Sequence, residues 1–270
     1  MVSRDIDIDI EFYSRDREPR RKDKDLFETV EEVFDKATVL AVIELMRRRC
    51  IKELKGVISS GKEARVYWAK GFDNEDIAVK IYLTSTAEFR KGILKYIRGD
   101  PRYEWITSLH THKLMAVWAR KEYSNLKQMY DAGVRVPKPL CVYRNILVME
   151  FIGENGVRAP LLKELNDAKA IDSNMAERFF IDIIDNIYKI YWNAKLVHGD
   201  LSEYNVMVYR DLLYIIDVSQ AVKIDHPNAH EFLYRDIQNI VRFFSNEIGI
   251  KTPRPEELFN GIVKGIREIT

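Results

Sequence analysis

Cysteine is nearly missing from this 270-residue chain: there are 2, Cys50 and Cys141, with no CxxC pair and no histidine at ligand spacing. That usage argues against a disulfide framework and against a zinc site, and it favours a reducing compartment. A bias of charge is missing as well. The chain carries 43 Lys and Arg against 42 Asp and Glu, a formal net charge of +1. No global basic excess therefore speaks for nucleic acid, and any such affinity must come from local patches. Long apolar runs are also lacking: stretches such as KATVLAVIELM stop well short of the roughly 20 residues that a membrane span needs. The N-terminal stretch MVSRDIDIDIEFYSRDREPRRKDKD has no apolar core of the signal-peptide kind. Together these absences predict a cytoplasmic protein without membrane contact. Internal repeats and low-complexity segments are absent too.

What is present is the composition of a large folded unit, with 46% hydrophobic and 31% charged residues. Residues 1–25 read as a mobile, charge-mixed tail, in which REPRRK is either a phosphate-contacting arm or a solvated terminus. From Leu26 to about Leu54 the residues Val30, Val33, Phe34, Ala37, Leu40, Ala41, Leu45 and Met46 recur at helical spacing, which predicts a helical extension over 26–55. Then the period changes. GVISSGKEARVYWAKG alternates around a Ser-Ser-Gly turn and reads as a β-hairpin, IAVKIYL as a third strand, and CVYRNILVMEFIG as two more. Thr84–His112 reads as a poorly ordered loop with some helix, and AVWARKEYSNLKQMYDAG as a helix stopped by Gly133. Further on, NMAERFFIDIIDNIYKIYWNAK is helical, Val206–Tyr209 and Leu213–Ile216 form two short strands, and helical pattern resumes from EFLYRDIQNI. The expectation is an α+β fold of two lobes with a cleft between them. The strand-rich lobe covers 56–152, the helix-rich lobe 153–270, and an additional helix precedes both.

Several polar residues sit where a metal–phosphate site needs them. Phosphoryl transfer from ATP calls for a strand lysine on the α/β-phosphates and an acid to hold it. It also needs an acid at the attacking hydroxyl, and an Asn and an Asp for Mg²⁺. IAVK ends at Lys80 on the third strand, and HGDLSEYN places Asn205 five residues after Asp200. IIDVSQ brings Asp217 twelve residues later, with room for one hairpin between. Each fragment alone also suits a surface loop or a strand end. The ordered set is specific.

SSGKEARVYWA, AVKIY, WARKEYSNL, HGDLSEYN and IDVSQAV together resemble the RIO family of atypical serine/threonine protein kinases. The likeness runs from about Leu26 to the C-terminus. Residues before Gly56 are too few and too irregular for the winged helix of one RIO branch. The chain is therefore more similar to the first-described branch, in an archaeal-sized form. The resemblance implies a two-lobed, protein-kinase-like fold and ATP with Mg²⁺ or Mn²⁺ in the cleft. It implies Lys80 on the phosphates with Glu122 as its partner, Asp200 at the acceptor hydroxyl, and Asn205 and Asp217 on the metal. Ser59, Ser60, Gly61 and Lys62 would cover the phosphates. Val66, Ala78 and Ile216 would wall the adenine, with Met207 beneath it. Met149 would sit at the mouth, and the backbone of Glu150 and Ile152 on the adenine edge. His198 is expected to pack, neutral, behind the loop.

Other kinase features are missing. The phosphate turn has one glycine, Gly61, in place of G-x-G-x-x-G, and Gly199 stands where many kinases carry an arginine for a phosphorylated activation loop. There is no Ala-Pro-Glu after Asp217. Three functions stay open on these residues. One is serine/threonine phosphotransfer, including autophosphorylation. The second is an ATP-gated factor for maturing small ribosomal subunits, as the resemblance implies, with Asp217 itself accepting phosphate and REPRRK, Lys113, Arg120 and Lys121 touching rRNA. The third is a small-molecule phosphotransferase of the aminoglycoside or choline type. Its loop also begins HGD but generally continues with a histidine at the position of Ser202, and it needs a larger helical region after the metal aspartate.

Overall fold

The computed structural model describes residues 35–83, 87–97, 99–103 and 111–266. The expected tail over 1–25 with its REPRRK arm, the start of the helical extension and part of Thr84–His112 lie outside the described residues. The first lobe contains α1 (Lys36–Arg47), β1 (Glu53–Ser60), β2 (Ala64–Lys70), β3 (Asp76–Tyr82), α2 (Ala87–Ile97), α3 (Thr111–Asp131), β4 (Pro139–Tyr143) and β5 (Ile146–Glu150). The hairpin β6 (Gly153–Glu154) and β7 (Val157–Arg158) leads into the second. There follow α4 (Leu162–Asp167), α5 (Ser173–Trp192), β8 (Leu196–Val197), β9 (Val206–Tyr209), β10 (Leu212–Ile215), β11 (Val222–Lys223), α6 (Ala229–Arg242) and α7 (Pro255–Val263). This is the expected α+β arrangement of a strand-rich lobe, a helix-rich lobe and a preceding helix. Strand β1 starts at Glu53, ahead of the boundary expected at Gly56.

The sheet runs β1-β2-β3-β5-β4 with every neighbour antiparallel. Asp35 starts α1 by accepting the Thr38 N–H at 2.8 Å, which satisfies one of the amides a helix leaves open. The apolar face of α1 lies on one side of this sheet: Ala41, Val42 and Leu45 pack with Ile77, Val79 and Ile81 of β3 and with Ile146 and Val148 of β5. Because strand side chains alternate, Ala78, Lys80 and Tyr82 must then face the other side. A register slip of one residue would drive Lys80 into the α1 core, so the apolar cover fixes the orientation of the lysine.

Cys50, just past α1, forms a disulfide with Cys141 of β4 across a separation of 91 residues. This corrects the expectation drawn from the cysteine count. Linear spacing carries no signal for a pair brought together by the docking of α1 onto the sheet, which leaves the two Cα atoms 6.3 Å apart.

The segment read as a poorly ordered loop with some helix contains α2, whose Ile93 and Ile97 pack against Leu114, Met115 and Trp118 of α3 and Tyr82 of β3. Helix α3 stops as expected at a glycine. Gly133 has φ +77°, and the Val134 N–H reaches back to the Met129 carbonyl at 3.0 Å. In the second lobe, Phe179, Phe180, Ile183 and Ile187 of α5 pack with Phe232, Ile237 and Ile240 of α6. Leu126 and Met129 of α3 and Leu147 of β5 join that core, so the lobes share apolar contact beyond the connecting hairpin. At the hairpin only glycine fits position 153, since a Cβ there would lie 2.2 Å from the Val157 carbonyl oxygen. Among the described residues no helix is long and apolar enough to cross a membrane.

Opening the Cys50–Cys141 bridge, by reductant or by Cys50→Ser, is expected to lower the unfolding free energy by about 2–4 kcal/mol. Denaturant unfolding with and without reductant measures it. Coincident midpoints would show that docking of α1 holds without the bridge.

Candidate active site

Lys80 leaves β3 on the cleft side with its residue only 8% exposed. Its ammonium lies 2.8 Å from Glu122 Oε1 and 3.1 Å from Asp217 Oδ1. Glu122 comes from α3, and its second oxygen accepts the Tyr82 hydroxyl. Burial acts against the Lys80 charge, but the Asp217 and Glu122 carboxylates outweigh it and hold the ammonium well above its ordinary pKa. For Glu122, burial pushes the carboxyl up against the pull of Lys80. For Asp217, burial is overcome by Lys80 and by the Ser219 hydroxyl, which donates at 3.0 Å, so this carboxyl sits below its ordinary range. Its side chain is 49% accessible, and it is the member of the group that opens to the cleft.

The hairpin β9–β10 explains the twelve-residue spacing. Its strands pair from Val206 with Ile215 to Tyr209 with Leu212, and the Ile216 N–H then donates to the Asn205 carbonyl at 3.0 Å. Asp217 follows in the left-handed region (φ 56°, ψ 59°), a conformation that disfavours any residue with a Cβ. The turn after it, Val218–Gln220, is gripped from α3. Asn125 Nδ2 donates to the carbonyls of Val218 (2.8 Å) and Ala221 (3.1 Å), and Lys121 Nζ to those of Ser219 (2.9 Å) and Ala221. Lys121 has no exposed surface, which corrects its assignment to rRNA contact, whereas Lys113 and Arg120 are exposed. Burial, with some repulsion from Arg102, pulls the Lys121 pKa down to about 7 against the attraction of Asp100 and Glu122.

Asp200 lies in a loop held from α6. The Asp236 carboxylate accepts the N–H groups of Gly199 and Leu201, each at 2.8 Å. Arg235 donates to the Gly199 carbonyl at 2.5 Å, Asn239 to the Leu201 carbonyl at 3.0 Å, and Arg242 to Glu203 at 2.8 Å. Residues 235, 236, 239 and 242 share one helix face by their spacing. Burial carries the Asp236 pKa up to about 7 despite the two N–H donors and Arg235. Asp200 is raised by burial and then by the Asp217 charge, with Arg235 opposing. His198 donates from Nε2 to the Ile216 carbonyl at 3.1 Å and accepts the Asp200 N–H on Nδ1 at 3.3 Å. Those two bonds define a neutral tautomer, and burial holds its pKa down to about 4.

A cleft of about 570 Å³ lies between the lobes, and it brings most of the sequence-derived residues together. Ser59, Gly61, Lys62 and Val66 line its roof side with Ala78, Lys80 and Glu122. Met149, Glu150, Ile152, Asn205, Met207, Ile216 and Asp217 line the remainder. Ser60 and Asp200 are not among the lining residues. Glu63, Ser219, Tyr204 and Phe151 line it and escaped the sequence reading, as did Asp236 behind it. Glu63 faces the two aspartates, and its carboxyl is raised by burial and then by the Asp217 charge. The donor set suits a metal-bound triphosphate. The Asn205 amide commits Nδ2 to the Asp200 carbonyl at 2.7 Å, which leaves its oxygen for a hard cation beside the open carboxylate of Asp217. Among the described residues no three His, Cys, Asp or Glu gather as a metal site.

His198 gives a signed pH effect. Its folded pKa lies below the unfolded value of 6.5, so its contribution is complete above pH 6.5 and is lost as pH falls towards 4. Asp236 acts oppositely, because its raised pKa favours folding in acid. The test is therefore the stability difference between wild type and His198→Gln. That difference should shrink by about 2 kcal/mol between pH 7.5 and pH 5 in urea titrations. A difference independent of pH would show that the histidine titrates normally.

The RIO domain family matches residues 65–257. The serine/threonine-protein kinase RIO1 of Caenorhabditis elegans is 41% identical over 263 residues, covering 96% of this chain and 51% of that protein. The chain thus spans about half the length of this relative. The RIO-type serine/threonine-protein kinase Rio1 of Haloferax volcanii is 39% identical over 253 residues, covering 89% of this chain and 84% of that one. Among solved structures, the Rio2 kinase of Chaetomium thermophilum in an ADP/Mg²⁺-phosphoaspartate complex superposes with a TM-score of 0.66. It is 22% identical, covers 86% of this chain and 66% of its own, and shows the fold alone. The cleft geometry, the family match and the Rio1 relatives agree: this chain belongs to the RIO family.

Proposed function

We propose that this protein is an ATP-dependent serine/threonine phosphotransferase of the Rio1 kind, with itself or another protein as acceptor. The observation that carries the reading is a charged, buried Lys80 held between Glu122 and Asp217 at 2.8 and 3.1 Å on one wall of the cleft. In this reading Lys80 moves its ammonium from Asp217 onto phosphate oxygens when nucleotide enters, while Glu122 keeps it extended. Mg²⁺ or Mn²⁺, held by Asn205 and Asp217, would neutralise charge on the phosphates. Asp200 accepts the proton of the attacking hydroxyl, and its raised pKa makes it a better base than a solvated aspartate. The hinge supports adenine recognition. The Glu150 N–H is committed to the Lys138 carbonyl (2.8 Å) and the Ile152 carbonyl to the Ala159 N–H (2.9 Å). The Glu150 carbonyl and the Ile152 N–H are the groups left to read the base edge. Ser59, Gly61 and Lys62 would cover the phosphates, and Val66, Ala78, Met149, Met207 and Ile216 would enclose the ring.

A second reading concerns the acceptor. Between Asp217 and α6 the chain holds one 3₁₀ turn and the short β11, with no room for a peptide-binding platform. That shortness favours an ATP-gated factor of small-ribosomal-subunit assembly, with Asp217 taking the phosphoryl group; the Rio2 kinase neighbour is named as a phosphoaspartate complex. The exposed Lys113 and Arg120 would be its rRNA contacts. A small-molecule phosphotransferase is less well supported, with Ser202 at the histidine position.

Incubation with γ-labelled ATP and Mg²⁺ tests both readings, with and without small ribosomal subunits. Asp200→Ala should cut transfer to serine or threonine by about 10²–10⁴-fold while leaving nucleotide bound. Alkali-labile label that disappears in Asp217→Asn, with phosphate release stimulated by subunits, would favour the switch. Wild type that binds ATP yet neither labels nor hydrolyses it would end the enzyme reading.

A further inference from the structure

We propose that Lys121, Asn125 and Arg102 form a positioning relay that aims the Asp217 carboxylate at the metal of a bound nucleotide. The identity of that ligand rests on the phosphotransferase reading; the relay rests on geometry. Asp217 sits in a left-handed backbone conformation that a residue with a Cβ seldom adopts. The turn after it is held at several points, which supports that conformation. Two side chains of one helix provide this by taking the carbonyls of Val218, Ser219 and Ala221.

A lysine with no exposed surface is an expensive way to fill that space, because its ammonium loses water that a leucine never held. What the lysine supplies is a pair of donors aimed at two carbonyls. Asn125 is aimed in turn. Its Oδ1 accepts Arg102 Nη1 at 2.8 Å, which fixes the amide so that Nδ2 points at the turn. Arg102 is held by the fully buried Asp100 at 2.6 Å. Glu122, the partner of Lys80, lies between Lys121 and Asn125 on the same turn of α3. One rigid helical turn therefore sets both the phosphate lysine and the metal aspartate. The Asp100–Arg102 turn, which lies between α2 and α3, reaches the cleft through it.

The test measures binding of a fluorescent ADP analogue to the full chain, in Mg²⁺ and in EDTA, for wild type, Lys121→Met and Arg102→Leu. The relay predicts that Lys121→Met loses about tenfold or more of the Mg²⁺-dependent gain in affinity, in the range seen when supporting partners of metal ligands are removed. Affinity in EDTA, set by the adenine walls and Lys80, should stay near wild type. Arg102→Leu leaves Lys121 in place, so it should shift the same ratio in the same direction by less. It also covers the case in which Lys121→Met does not fold. Equal losses with and without Mg²⁺ would mean a general structural role and overturn the relay. So would a wild-type Mg²⁺ effect that both variants keep. Wild type that gains nothing from Mg²⁺ would overturn the metal reading of Asp217 and the relay with it.

Discussion

A lysine ammonium under a β-sheet is tolerable only where carboxylates meet it, and the Lys80–Glu122 contact at 2.8 Å is the constraint on which the rest of the molecule depends. Leaving either charge alone in that environment would cost about 3–5 kcal/mol, a large share of the 5–15 kcal/mol that holds a typical domain. The two residues are 42 positions apart and belong to a strand and a helix. Their meeting requires α1 to occupy the opposite face of the sheet, so that β3 turns Lys80 inward, and α3 to lie across the inner face. The apolar packing of Tyr82 with Trp118 and Ile93 is what brings that helix to the sheet.

The same logic governs the two loops that carry the aspartates. Each runs through the interior, where its peptide groups need partners. Helix α6 answers for the loop around Asp200, with Asp236 on its amides and Arg235 and Asn239 on its carbonyls. Helix α3 answers for the turn after Asp217, whose carbonyls it meets with donors alone. The loops carry the reactive groups, and the helices hold them still. His198 links the two by bonding to the Asp200 amide and the Ile216 carbonyl, which ties one aspartate's backbone to the other's strand.

Much of this was legible beforehand because it is local. The alternation of ARVYWAK, the apolar run of IAVKIYL and the glycine that stops α3 act within a few residues, and the elements formed where the periods changed. The chain order of Lys80, Glu122, Asp200, Asn205 and Asp217 could be read from short motifs, and all but Asp200 line one cleft. Asp236 left no such trace, since YRDIQN looks like any charged helix face until the Asp200 loop packs on it. Lys121 sits in WARKEYSNL beside exposed Arg120, and nothing in that string says which cation is inside.

The sequence by itself therefore determined the elements and the list of chemical groups, because periodicity and motif spacing depend on neighbours along the chain. Only the tertiary structure decided which groups are buried and against what. The Cys50–Cys141 bridge, the inward Lys121, the α6 grip on the Asp200 loop and the opposing acidities of Asp217 and Asp200 all arise from contacts between elements distant in the chain. Their physical reason is common: loss of water and the approach of a particular charge or dipole set these properties, and neither is encoded within the short stretch that contains the residue.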